Sequence, residues 1–179
     1  DRLTMVLHID LATYSAVDLT KSGLYKYVQS PDFEILLFAY AYDGGPVQVI
    51  QTAAGEQIPE KVIYDLRNPE VLKMAYNAAF EFYCLSKFYI TWPTQWQCTM
   101  IHALYCGYPG SLAAAGDALG LPRDRKKLGT GKALIRFFCV PCKPTVKNGQ
   151  RTRNLPAHDP ERWKLFVEYC RQDVVTERT

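Results

Sequence analysis

An apolar run at the start of the chain, Thr4-Met5-Val6-Leu7-His8-Ile9, closes on Asp10. Such a run predicts a buried strand that delivers a carboxylate at its end. Residues 32–42 form a second apolar stretch, rich in Leu, Ile, Phe and Tyr, and predict a second strand. Asp43-Gly44-Gly45 follows as a hairpin-turn signal, and Pro46-Val47-Gln48-Val49-Ile50 as a third strand. Three consecutive strands of this kind form an antiparallel meander. Further on, residues 71–76 read as another core strand that leads into Asn77.

Helical patterns dominate the rest. Residues 59–66, 79–89, 99–105 and 111–119 read as helices, with Ser111 an expected N-cap and Gly120 an expected C-cap. The 122–156 stretch is rich in Pro, Gly, Lys and Arg, and shows periodicity only at 133–138. It reads as a long excursion of the type that tends to carry function. Pro160 opens the last helix behind Asp159 as its N-cap. That helix runs to the last residues without a stop signal, so a longer protein is expected. Strands followed by mixed elements predict an α/β domain of three layers, with a mixed sheet and helices on both faces.

With 179 residues, 48% hydrophobic and 22% charged, one domain with a real core is expected over 1–179. No apolar run has the roughly 18 residues of a membrane helix. The first residues carry no secretory signal pattern, so the six cysteines are expected to be thiols. Net charge is only +3, yet its distribution is uneven. Residues 1–120 carry net −5 and residues 121–164 net +9. A basic segment beside acidic motifs suits an enzyme that grips a polyanion, and the plainer reading is a solvated basic loop.

Four separated pieces carry the chemistry. They are Asp10-Leu11-Ala12-Thr13, Asn77-Ala78-Ala79-Phe80-Glu81, Cys98-Thr99, and Tyr169 with Asp173 four residues later. Tyr169 and Asp173 share a helix face, because positions i and i+4 are neighbours on a helix. Each piece has a plain structural alternative: Asp10 as a turn residue, and Glu81 as a helix N-terminal acid complementing the macrodipole. Two other signals are set aside. Cys139 and Cys142 have metal-knuckle spacing without two further spaced ligands. Residues 129–133 resemble a phosphate loop but lack the Ser or Thr after Lys132. His8 and His102 read as structural residues.

In order and spacing the four pieces resemble the DEDD exonucleases of the tyrosine-containing, proofreading type. Cys98-Thr99, Ser111-Leu112 and Leu119-Gly120 extend the resemblance over residues 5–177. The wording of the motifs is similar to bacteriophage-type family A DNA polymerases. The resemblance implies a ribonuclease H-like fold with a five-stranded sheet. It implies two ions of Mg²⁺ or Mn²⁺, held by Asp10, Glu81 and Asp173, with Tyr169 orienting the attacking water. Leu11, Ala12, Thr13, Asn77 and Phe80 would contact the substrate, a single-stranded DNA 3′ end. A polymerase domain would be attached, in the cytoplasm of a bacterium or an infected host cell.

Three positions depart from the family pattern. Ala12 stands where the family has Glu, Glu81 where it has Asp, and Cys98 where it often has Asp. Two carboxylates in Asp-x-Glu on a strand share one face; Ala12 cannot ligate, so the resemblance implies a weakened first-metal site. The intact flanks Thr13-Tyr14-Ser15 favour an introduced change over drift. An inactive nucleic-acid-binding module and a DEDD-type ribonuclease are the rival expectations.

Overall fold

A computed structural model describes residues 5–98 and 131–178 of the chain. The predicted helices at 99–105 and 111–119, with their caps Ser111 and Gly120, lie outside the described residues. Five strands form one mixed sheet: β1 (Met5–Tyr14), β2 (Glu34–Tyr42), β3 (Gln48–Ile50), β4 (Val71–Ala75) and β5 (Trp96–Cys98). Their order in space is β3-β2-β1-β4-β5. The first three are antiparallel neighbours, whereas β4 pairs parallel with β1, and β5 parallel with β4. This is the ribonuclease H-like arrangement of the sheet.

The helices are α1 (Leu19–Ser22), α2 (Leu24–Gln29), α3 (Glu60–Arg67), α4 (Ala78–Ser86), α5 (Gly131–Phe138) and α6 (Pro160–Arg178). They bury two separate cores, one on each face of the sheet. Leu7, Ile9 and Leu11 of β1 pack with Tyr27 and Val28 of α2, Val62 and Leu66 of α3, and Cys84 and Leu85 of α4. Ala12 and Tyr14 turn the other way, onto Leu134 and Phe138 of α5 and Phe166, Cys170 and Val174 of α6. Strand alternation thus divides one apolar run between two layers.

Asp10 is not at the end of its strand, as the apolar run suggested; β1 continues four residues further, to Tyr14. The carboxylate is nevertheless accessible. Pairing of β1 with β4 ends at His8 and Met74, so beyond that point β1 has no partner in β4. Pairing with β2 continues, and its register shifts between Ala12 and Thr13, leaving Leu36 as the additional residue. Such a bulge re-aims the side chains around it. Leu36 and Leu37 consequently both join the α5–α6 core.

Helix α6 is fixed along its length. Asp159 caps its first turn, accepting from the Arg162 amide at 3.1 Å. Arg171 Nη1 donates to the Val47 carbonyl at 2.7 Å, and Arg178 Nη1 to that of Gly45 at 2.6 Å. These bonds fasten the helix that carries Tyr169 and Asp173 to the β2–β3 edge of the sheet.

Candidate active site

Side chains from β1 and α6 meet in a cavity of about 230 Å³. Asp10, Leu11, Ala12 and Thr13 line it from the strand, and Tyr169 and Asp173 from the helix. Tyr169 and Asp173 are 5% and 3% exposed, so both are held within the α6 packing rather than on its solvent face. Phe80 of α4 forms another wall. The first and last sequence pieces therefore meet in one cavity.

The middle piece divides. Phe80 reaches the cavity, whereas Glu81 is buried (4% exposed) and does not line it. Asn77 is exposed at the N-cap of α4, where its side chain makes no capping hydrogen bond. Cys98 ends β5 at the far edge of the sheet.

Several lining residues carry no sequence signal. Tyr27 is one. Its hydroxyl is 2.8 Å from Thr13 Oγ1, and its carbonyl accepts from Ser15 Oγ at 2.9 Å. Burial raises the Tyr27 phenol well above the ordinary tyrosine range. It acts as a neutral brace that holds β1 beyond the bulge. The Tyr27 ring also lies 6.2 Å from that of Phe80.

Cys139, just after α5, lines the same cavity. Burial pushes its thiol up to about 12, against a backbone hydrogen bond from Thr13 that pulls it down. Gly131, the first residue of α5, is buried against the Tyr169 ring. The Arg153 guanidinium lies 4.0 Å over the Tyr14 ring and 2.9 Å from Glu34 Oε2, clamping the following segment to the end of β1.

Fit to a metal follows from the donors. Asp10 and Asp173 offer hard oxygen ligands in one cavity, and Mg²⁺ is commonly held by one or two carboxylates, substrate phosphate and water. Among the described residues no three His, Cys, Asp or Glu side chains gather closely enough to hold one ion. Ala12, 6% exposed, also lines the cavity and offers it no donor atom beyond the backbone. The donors thus suit a cation that takes most of its shell from substrate and water.

The chain is similar to a DNA polymerase of Bacillus phage SP02, with 52% identity over 174 residues, which is 96% of this chain and 26% of that protein. It spans about a quarter of that relative's length. The likeness to a phage DNA polymerase expected from the motifs is borne out over those 174 residues. No protein-family model matches the chain. Among solved structures, the apo form of a nuclease gives a TM-score of 0.49 at 16% identity, covering 95% of this chain and 66% of that one. Brucella melitensis NrnC gives 0.47 at 14%, covering 97% and 83%. No helix among the described residues is long and apolar enough to cross a membrane.

Proposed function

We propose that this chain is the 3′→5′ exonuclease domain of a phage-type DNA polymerase, acting on single-stranded DNA 3′ ends, and that Ala12 leaves it disarmed. The observation that carries this reading is the convergence of Asp10, Tyr169 and Asp173 on one cavity, from the central strand and the last helix. The 52% identity to part of a phage DNA polymerase supports the polymerase context.

Asp10 and Asp173 are the residues to hold Mg²⁺ or Mn²⁺. Bound there, divalent cations would polarise the scissile phosphate and lower the pKa of a coordinated water. Glu81, buried on α4 next in the chain to Phe80, would act on that site through water. Tyr169 orients the attacking water by hydrogen bonding from its phenol. Phe80 offers an aromatic face to the terminal base, and base–aromatic stacking is indifferent to sequence. Leu11 and Thr13 line the cavity, and Asn77, exposed at the start of α4 three residues before Phe80, would contact the terminal nucleotide. A frayed end enters more readily than a paired one, because unpairing a base costs a few kcal/mol. That selection is what proofreading for an attached polymerase requires.

Ala12 is also the observation that favours a second reading, an exonuclease fold that binds nucleic acid without cutting it. The test is digestion of 3′- and 5′-labelled single strands, with Mg²⁺ and with Mn²⁺, by this chain and by its Ala12→Glu variant. Trimming from the 3′ end by the Glu variant alone, faster by orders of magnitude, supports the disarmed exonuclease. Equal rates in the two proteins refute it. An RNA strand of the same sequence, cut faster than DNA, would move the assignment to a ribonuclease.

A further inference from the structure

Residues 142–152 form a hairpin whose shape is set by its own hydrogen bonds. The Cys142 amide donates to the Thr152 carbonyl and the Gln150 amide to the Thr145 carbonyl, each at 2.7 Å. Asn148 organises the tip: its Oδ1 accepts from the amides of Thr145 and Arg151, and its Nδ2 donates to the Lys143 carbonyl. Gly149 and Gln150 take positive φ angles of 73° and 61° to turn the chain. The root is joined to α5, where Asn154 Nδ2 donates to the Phe137 carbonyl and its Oδ1 accepts from Arg151 Nε, both at 2.9 Å.

This order is not explained by core packing. No residue from 140 to 153 is buried, and Val146 is 88% exposed at the tip. A solvent-exposed loop gains little from such bonding by itself, because most of it is exchanged with water. Charge gives the segment a direction. Lys143 and Lys147 project from it, and the sequence has no Asp or Glu between Asp124 and Asp159. At the root, Arg153 pairs with Glu34 and also acts on Asp32.

The hairpin also adjoins a path from the catalytic cavity. A second cavity, of about 410 Å³, is walled by Val140 and Pro141 at the hairpin's base. It shares Leu19, Tyr27, Ile135 and Cys139 with the cavity of Asp10 and Asp173. The two cavities adjoin through these four residues, and Asp18, distant from Val140 and Pro141 in the chain, also lines the second.

We propose that hairpin 142–152 is a preformed arm for a single strand leaving the catalytic cavity, with Lys143 and Lys147 on its phosphates and Val146 against a base or sugar. This rests on the exonuclease reading. The arm's shape is held by its own hydrogen bonds, so little ordering entropy is lost on contact.

The test uses this chain with Ala12 in place, so that the strand survives. Binding of labelled single strands is followed by fluorescence anisotropy across a salt series, for the parent, K143A/K147A and V146S. Two lost phosphate contacts should lower the slope of log Kd against log salt by about 1.4, since each is worth about 0.7 on a single strand. V146S should weaken binding with the slope unchanged, because an apolar contact releases no counterions. A trinucleotide, whose few nucleotides are taken up first by the cavity of Asp10 and Asp173, should bind the parent and all variants alike. An unchanged slope in K143A/K147A, with circular dichroism matching the parent, overturns the arm alone. An equal loss on the trinucleotide, or on a fully paired duplex, overturns it as a single-strand arm. Absence of any binding by the parent overturns the exonuclease reading with it.

Discussion

Gly131 lies against the ring of Tyr169 so closely that a Cβ on Gly131 would stand 2.2 Å from Cε2 and 2.8 Å from the phenol oxygen. No carbon approaches another at that distance, so any side chain at residue 131 displaces the tyrosine or the start of α5. The glycine is required for space rather than for a special φ. Its position makes the start of α5 the surface on which the phenol is set.

Gly131→Ala should therefore act through Tyr169. In the Ala12→Glu background the expected result is a fall in kcat with KM little changed. A displacement of about 1 Å at a reacting group can cost about 10²-fold. In a Tyr169→Phe background the same substitution should cost much less, because the hydroxyl it misplaces is already gone. Additive losses in the double-mutant cycle would mean that Gly131 serves only the packing of α5.

Tyr27→Phe should destabilise the protein without removing any group that faces the substrate's phosphate. Thr13 Oγ1, 3% exposed as a residue, would lose its partner at 2.8 Å. An unsatisfied buried hydroxyl costs about 1–3 kcal/mol. Urea denaturation should show a lower midpoint at unchanged m-value. A Tyr27→Phe/Thr13→Val pair should recover part of the loss, since both polar atoms then disappear together. If the single variant is as stable as the parent, the brace contributes nothing.

Strands β1, β2 and β4 were legible because each is an apolar run long enough to outweigh its interruptions. β5 was not: Trp96–Cys98 is a three-residue edge strand with a polar centre, and only its pairing with β4 defines it. Helices α1 and α2, of four and six residues, are too short to show a period. The continuation of β1 past Asp10 was hidden by the carboxylate itself, and the bulge at Leu36 exists only in the pairing of two strands. In the site, Asp10, Tyr169 and Asp173 stood out by residue type and spacing. Gly131, Cys139 and Tyr27 did not, since their roles depend on proximity between elements far apart in the chain. Glu81, which the resemblance groups with Asp10, Tyr169 and Asp173, is buried and is not among the residues that line the cavity.

Cys139 should resist thiol reagents in the folded protein. Its side chain is 8% exposed and its thiol is raised to about 12, so almost no thiolate exists at neutral pH. Thiolate is the reactive species. Cys142, only three residues on, is partly exposed. Brief maleimide treatment followed by mass spectrometry should find Cys142 modified and Cys139 intact, with Cys139 reacting only after denaturation. Prompt labelling of Cys139 would mean that α5 opens from β1 in solution.

His8 should make stability depend on acid. Burial, reinforced by the Arg178 guanidinium and opposed by Asp43, lowers its pKa from 6.5 to about 4. Between these values the unfolded chain holds a proton that the folded chain does not. Stability then rises with pH across the interval. It is at its full value above about 6.5 and declines as the pH falls toward 4. Carboxylates also titrate as the pH falls, so the informative quantity is a difference between two proteins. In His8→Gln the denaturant midpoint should fall less between neutral pH and about pH 5 than in the parent, because the glutamine binds no proton in either state. Parallel falls in the two proteins would mean that His8 is protonated where it stands, and that Asp43 rather than Arg178 and burial sets its charge.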